Sequence, residues 1–257
     1  MSAKIIAIVN QKGGVAKTTT TVNLSTALAA INKRILVIDL DPQGNSSTGF
    51  GVSQQNRKVT IYQVIIGINH ITESIVPTNI PNLELITSNT NLSAAESDLI
   101  GSKKKEYLLA NLLEPLKTKY DYIIIDCPPS LNLLTINALT SCDEVIIPMQ
   151  CDFYSLEGLS HLLKTIEIIE KNLNPKIKIC GILFTMYDKR NSLTQYVEED
   201  VRKCLGAIVF KTVIPRNVKL SEAPSYGQPA IIYDHKCSGS LAYMELTKEI
   251  LEKANEK

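Results

Sequence analysis

The chain has 257 residues, 44% hydrophobic and 21% charged, with 12 glycines, 11 prolines and no tryptophan. That balance supplies a sizeable core and excludes collagen-like, disordered and disulfide-scaffold chains. Its 27 basic and 26 acidic side chains leave a formal charge of +1, so any nucleic-acid surface must be a local patch.

The predicted elements alternate between strand and helix. Residues 4–9 form a continuous apolar run of strand length, and 18–31 follow with helical spacing. Residues 34–40 make a second strand. Further strands are expected at 83–87, 122–126, 144–148, 177–184 and 208–214. Helices are expected at 106–119, 131–140, 156–172, 193–205 and 240–254. Unbroken Ile/Val strands between helices imply a parallel sheet buried on both faces. The class is therefore α/β: a doubly wound, mostly parallel sheet with helices on both faces and ligands at the C-terminal strand ends. Residues 44–82 are the least regular. Without internal repeats or low-complexity linkers, one domain over residues 1–257 is expected.

Between the first strand and first helix lies Asn10-Gln11-Lys12-Gly13-Gly14-Val15-Ala16-Lys17-Thr18-Thr19. Glycines let a loop curl so that successive N–H groups point inward, and the following helix adds its positive end. Lys17 would reach the β- and γ-phosphates of a nucleotide, and the Thr18 hydroxyl would bind Mg²⁺. The strict GxxxxGK[ST] pattern is not met: Gln11 stands at the first Gly position and Ala16 replaces the Gly before the lysine. Ala disfavours positive φ, so a left-handed residue at 16 would be strained.

The second strand ends Asp39-Leu40-Asp41-Pro42-Gln43-Gly44-Asn45. Carboxylates at i and i+2 share a strand face, and Asp41 is aimed at the nucleotide edge. Asp39 reads as structural. The run 122–125 delivers Asp126 to a strand end before Cys127-Pro128-Pro129, an arrangement that would hold Mg²⁺ through water.

The six cysteines lie at 127, 142, 151, 180, 204 and 237, with no CxxC pair and no zinc spacing. They read mostly as small hydrophobes. No signal peptide precedes residue 4 and no apolar run reaches membrane-spanning length, so a reduced, cytoplasmic protein is expected.

The KGGxxKTT string resembles the deviant Walker A motif of the ParA/MinD ATPase family. The DxDPQGN segment is similar to that family's switch I. Residues 126–131 (DCPPSL), 134–139 (LTINAL), 147–151 (IPMQC), 155–159 (SLEGL) and 214–224 (IPRNVKLSEAP) extend the resemblance over nearly the whole chain. Together they look like the short chromosomal ParA group, Soj. With the loop starting at residue 12, no N-terminal helix-turn-helix domain is expected.

The resemblance implies ATP and Mg²⁺ as cofactors, with Lys12, Gly13, Gly14, Val15, Ala16, Lys17, Thr18 and Thr19 around the phosphates. It implies that Lys12 crosses a homodimer interface to the partner's phosphates, as an arginine finger does. Asp41 would order the metal and the attacking water. The base would lie beside Thr185-Met186 and Pro215-Arg216-Asn217, with Asn217 either reading the base edge or capping the next helix. Nitrogenase iron protein shares the loop fold, but Cys127 and Cys142 do not sit as cluster ligands.

Residues 176–219 carry nine basic and four acidic side chains, and the rest of the chain is net acidic. A basic face suits salt-sensitive phosphate binding without base reading. The resemblance ties Arg190 and Lys219 to non-specific binding of double-stranded DNA. It further implies a ParB-type centromere-binding partner that stimulates hydrolysis, and a nucleoid-associated protein. Two other readings remain. One is a MinD-like regulator of division sites on the membrane, which the acidic C-terminal helix disfavours. The other is a nucleotide-gated DNA-binding protein with negligible hydrolysis, which Ala16 keeps open.

Overall fold

Alternate residues of the central strands enter opposite cores, which is why the strands read as unbroken apolar runs. Ile5, Ala7 and Val9 pack into one core and Ile6 and Ile8 into the other. The computed structural model describes residues 2–255. Its strands are β1 (Lys4–Ile8), β2 (Ile35–Asp39), β3 (Ile75–Pro77), β4 (Leu83–Ile86), β5 (Tyr122–Asp126), β6 (Glu144–Gln150) and β7 (Lys178–Thr185). They form one sheet in the order β3-β4-β2-β5-β1-β6-β7. Every pairing is parallel except β3 with β4.

Helices cover both faces. The helices Lys17–Ala30 and Ser238–Asn255 close one core with Leu24, Leu28, Tyr243, Leu246 and Ile250. The helices Leu133–Ser141, Phe153–Asn172 and Ser192–Leu205 close the other with Leu134, Leu162, Ile166, Val197 and Val201. Among the described residues no helix is long and apolar enough to cross a membrane.

Two expectations need correction. Residues 208–214 are not a strand. Val209 makes a single bridge to Ile182, and the segment follows β7 through isolated bonds such as Phe210 N–H to Ile182 O. The expected helix at 106–119 is broken into 3-10 turns at Lys105–Tyr107 and Glu114–Leu116 around a short helix, Leu108–Leu113. Pro115, which lacks an N–H, ends the α-helical hydrogen bonding. The irregular region 44–82 holds the short helices Asn45–Gly49 and Ile61–Ile65 and the edge strand β3.

Candidate nucleotide site

The loop from β1 to the first helix curls through two left-handed residues, Gly14 at φ 73° and Ala16 at φ 65°. Ala16 takes the N-cap position, and no side chain caps the helix. Its first N–H groups are left for an outside acceptor, and the helix dipole favours an anion there. Lys17 is buried, with its ammonium 2.9 Å from the Lys12 carbonyl. Burial pulls its pKa down, against the attraction of Asp126.

Asp126 ends β5 fully buried and gathers three hydroxyls. Thr18 donates at 2.8 Å, Ser46 at 2.7 Å and Thr21 at 3.3 Å. Its register partner on β2 is Asp39, also fully buried, which accepts from the Ser47 N–H and hydroxyl, each at 2.7 Å. Burial pushes both carboxyls above the ordinary range; the charge of Asp126 adds to the effect on Asp39, and that of Asp41 to the effect on Asp126. Asp39 thus holds the turn into the helix Asn45–Gly49, as its structural reading expects. Asp41 accepts from the Gln43 N–H at 2.9 Å and lies within electrostatic reach of both Lys17 and Asp126.

These groups fit a Mg²⁺ ion. The donors are all oxygens, and two buried carboxylates side by side call for a counter-cation, which suits a hard divalent metal. A metal bound there would meet the Thr18 hydroxyl and the Asp126 carboxyl, with Asp41 within electrostatic reach. Cys127 is buried and its thiol is pushed far up by that burial, so it offers no thiolate.

Beside the loop opens a cavity of about 330 Å³ whose lining includes Ala16, Thr19, Met186, Pro215, Asn217 and Leu220. A second cavity, about 240 Å³, shares Thr19 and Leu220 with it and reaches Thr18. Met186, itself left-handed at φ 50°, faces the first cavity. Thr185 does not: fully buried, it donates its hydroxyl to Val15 O and Met149 O behind the loop. Asn217 caps the helix Val218–Glu222 through Lys219 N–H, and its amide donates to the Ser238 hydroxyl at 2.9 Å. The structure thus shows the capping role, with both ends of the Asn217 amide engaged within the chain.

Lys12 does not point at the cavity. Its ammonium lies 2.5 Å from Asp152 and 3.4 Å from the Ser155 hydroxyl. Asp152 is also the N-cap of the helix Phe153–Asn172, accepting from Ser155 N–H. Sequence reasoning missed Asp152, Ser155, Ser46 and Gln150. Asp152 and Gln150 could have been found by one signal, their place at or just past the C-terminal end of a central strand.

The two basic residues assigned to DNA are both engaged. Arg190 pairs with Asp188 through its Nε at 2.9 Å and a terminal nitrogen at 2.8 Å. Lys219 pairs with Glu222 at 2.9 Å and sits over the Tyr233 ring.

Residues 3–179 match the AAA domain family. The chain is 47% identical to the chromosome partitioning protein ParA of Caulobacter vibrioides over 256 residues, spanning 99% of this chain and 96% of that protein. It is 49% identical to the sporulation initiation inhibitor protein Soj of Bacillus subtilis over 247 residues, 96% of this chain and 98% of that one. Among solved structures, cobyrinic acid a,c-diamide synthase from Mycobacterium smegmatis with ADP and magnesium superposes with a TM-score of 0.87 at 33% identity, covering 98% and 96% of the two chains. The cell division ATPase MinD of Pyrococcus furiosus gives 0.81 at 27% identity, covering 97% and 99%. With relatives this similar spanning both chains nearly end to end, the protein belongs to the ParA/Soj family of chromosome-partitioning ATPases.

Proposed function

We propose that the protein is an ATP-driven switch for chromosome partition. ATP with Mg²⁺ binds the loop, two loaded subunits pair, and the pair holds double-stranded DNA without reading its sequence. A ParB-type partner then stimulates hydrolysis and returns monomers. The observation that carries the nucleotide reading is the convergence of Thr18, Ser46 and Asp126 beside the buried ammonium of Lys17. The partition role is supported by the names of the relatives.

In this reading the metal neutralises phosphate charge when bound. The chain's own residues do the rest. Lys17 leaves the Lys12 carbonyl for the phosphates, the uncapped helix end holds them, and Asp41 orients the attacking water. Lys12 supplies charge to the partner's phosphates as negative charge builds on the transferring group. The Met186–Asn217 cavity takes the base. The basic stretch 176–219, doubled by pairing, gives DNA affinity that depends on ATP.

The test is binding to random-sequence DNA with ATP, ADP and no nucleotide, at two salt concentrations. Salt-sensitive binding only with ATP is expected. Binding indifferent to nucleotide, or absent throughout, overturns the partition cycle. Lys12→Ala is expected to keep nucleotide affinity but lose the ATP-dependent dimer in light scattering; a normal dimer removes Lys12 from the interface.

A further inference from the structure

The carbonyls of the phosphate loop are held from outside. Gln150, the last residue of β6, donates its amide to Gly14 O at 2.8 Å. Thr185, the last residue of β7, donates its hydroxyl to Val15 O at 3.1 Å. The next carbonyl, that of Ala16, takes the Thr20 N–H of the first helix at 2.9 Å.

In a planar trans peptide the C=O and the following N–H point in opposite directions. Anchoring Gly14 O outward therefore turns the Val15 N–H inward, and anchoring Val15 O turns the Ala16 N–H inward. Two donors of the anion nest are set by side chains from outside the loop. This also explains how an alanine persists at φ 65°, since a strained residue survives where its surroundings over-determine it. The amide of Gln150 donates as well to Met186 Sδ at 3.1 Å. Met186 lines the base cavity together with Ala16, so one side chain touches both halves of the site.

We propose that Gln150 and Thr185 are positioning residues for nucleotide binding, which fix the Gly14–Ala16 peptides for the phosphates and, through Met186, tie that grip to the base cavity. The proposal rests on the nucleotide reading above. It adds to that reading the source of the loop's geometry.

The test uses Gln150→Met, neutral and of similar length, and Thr185→Val, which keeps the β-branched shape. Affinities for ATP, ADP and adenosine are measured by calorimetry or competition on the full chain, together with the thermal midpoint of the nucleotide-free protein. Losing one such hydrogen bond is expected to weaken ATP and ADP by roughly three- to tenfold. Adenosine, which has no phosphate, should change by less than twofold in Thr185→Val and by less than ATP and ADP in Gln150→Met, whose contact with Met186 reaches the base cavity, and the loss in turnover should read in KM. The nucleotide-free midpoint of Gln150→Met, a half-buried strand-end residue, should fall by only about 2–4 °C, the cost of one hydrogen bond, whereas a general loss of packing would lower it far more. Unchanged ATP and ADP affinity in both variants overturns the proposal. So does an equal loss for adenosine, which would place the effect in the base cavity alone. A parent protein that binds no ATP would instead overturn the nucleotide reading.

Discussion

The Lys12 ammonium is held in its own chain by Asp152, 2.5 Å away across 140 positions of sequence. In the proposed cycle the same ammonium is needed by the partner subunit, so the internal pair competes with dimerisation. Asp152→Asn keeps a good helix cap for Ser155 N–H while removing the charge that holds Lys12. More ATP-dependent dimer is expected at a given protein concentration. Light scattering or sedimentation checks this, and an unchanged or smaller dimer fraction refutes the competition.

Ala16→Gly should stabilise the protein. A left-handed alanine costs about 1–2 kcal/mol, and the glycine's extra freedom in the unfolded chain returns about 0.4–1 of it. A net gain of about 0.5–1 kcal/mol is expected in urea unfolding without nucleotide. A loss of stability would mean that the loop does not hold Ala16 at φ 65° in solution.

Asp188→Asn should strengthen DNA binding. Hydrogen bonds from the Arg190 guanidinium hold the Asp188 carboxyl down to about 2, so the pair stays formed across the physiological pH range. Freeing Arg190 for one further phosphate contact should raise affinity for random-sequence DNA and steepen the log–log salt slope by about 0.9. Weaker binding, or an unchanged slope, removes Arg190 from the interface.

The buried carboxyls predict a pH dependence with a definite sign. Asp39 and Asp126 have pKa values raised in the folded state, chiefly by burial, so the folded protein binds more protons than the unfolded chain. Their stabilising contribution is present below the ordinary carboxylate value of about 4 and is lost as pH rises through the raised values. The thermal midpoint of the nucleotide-free protein should fall between pH 5 and 8, and Mg²⁺ with ATP should flatten the slope. A midpoint that rises over that range would contradict this account of the pair.

Much of this was legible in the sequence because burial on both faces leaves continuous apolar runs. Strands β1, β2, β4, β5, β6 and β7 all announce themselves that way, and so do Asp39 and Asp126 at their ends. β3 was not legible, because Ile75–Pro77 is three residues long and ends in proline. Residues 208–214 mislead for a related reason. Phe210 and Ile214 are apolar because they pack against the sheet, with Phe210 filling the space over Gly181, where a Cβ would come within 2.4 Å of the ring. Their backbone pairs only in isolated places. Lys12 with Asp152 and Gln150 with Gly14 are meetings of distant segments, and no local pattern encodes them.

The bond between the Thr20 and Tyr243 hydroxyls joins the phosphate helix to the helix Ser238–Asn255, 223 positions later. Likewise β1, the first strand in the order of this sequence, lies between β5 and β6. The loop that grips the nucleotide is thus synthesised early and cannot be packed until almost everything else exists. A growing chain long enough to display Lys12 and Lys17 still lacks the walls that orient them. The grip on the nucleotide therefore depends on segments that lie far downstream of the loop itself.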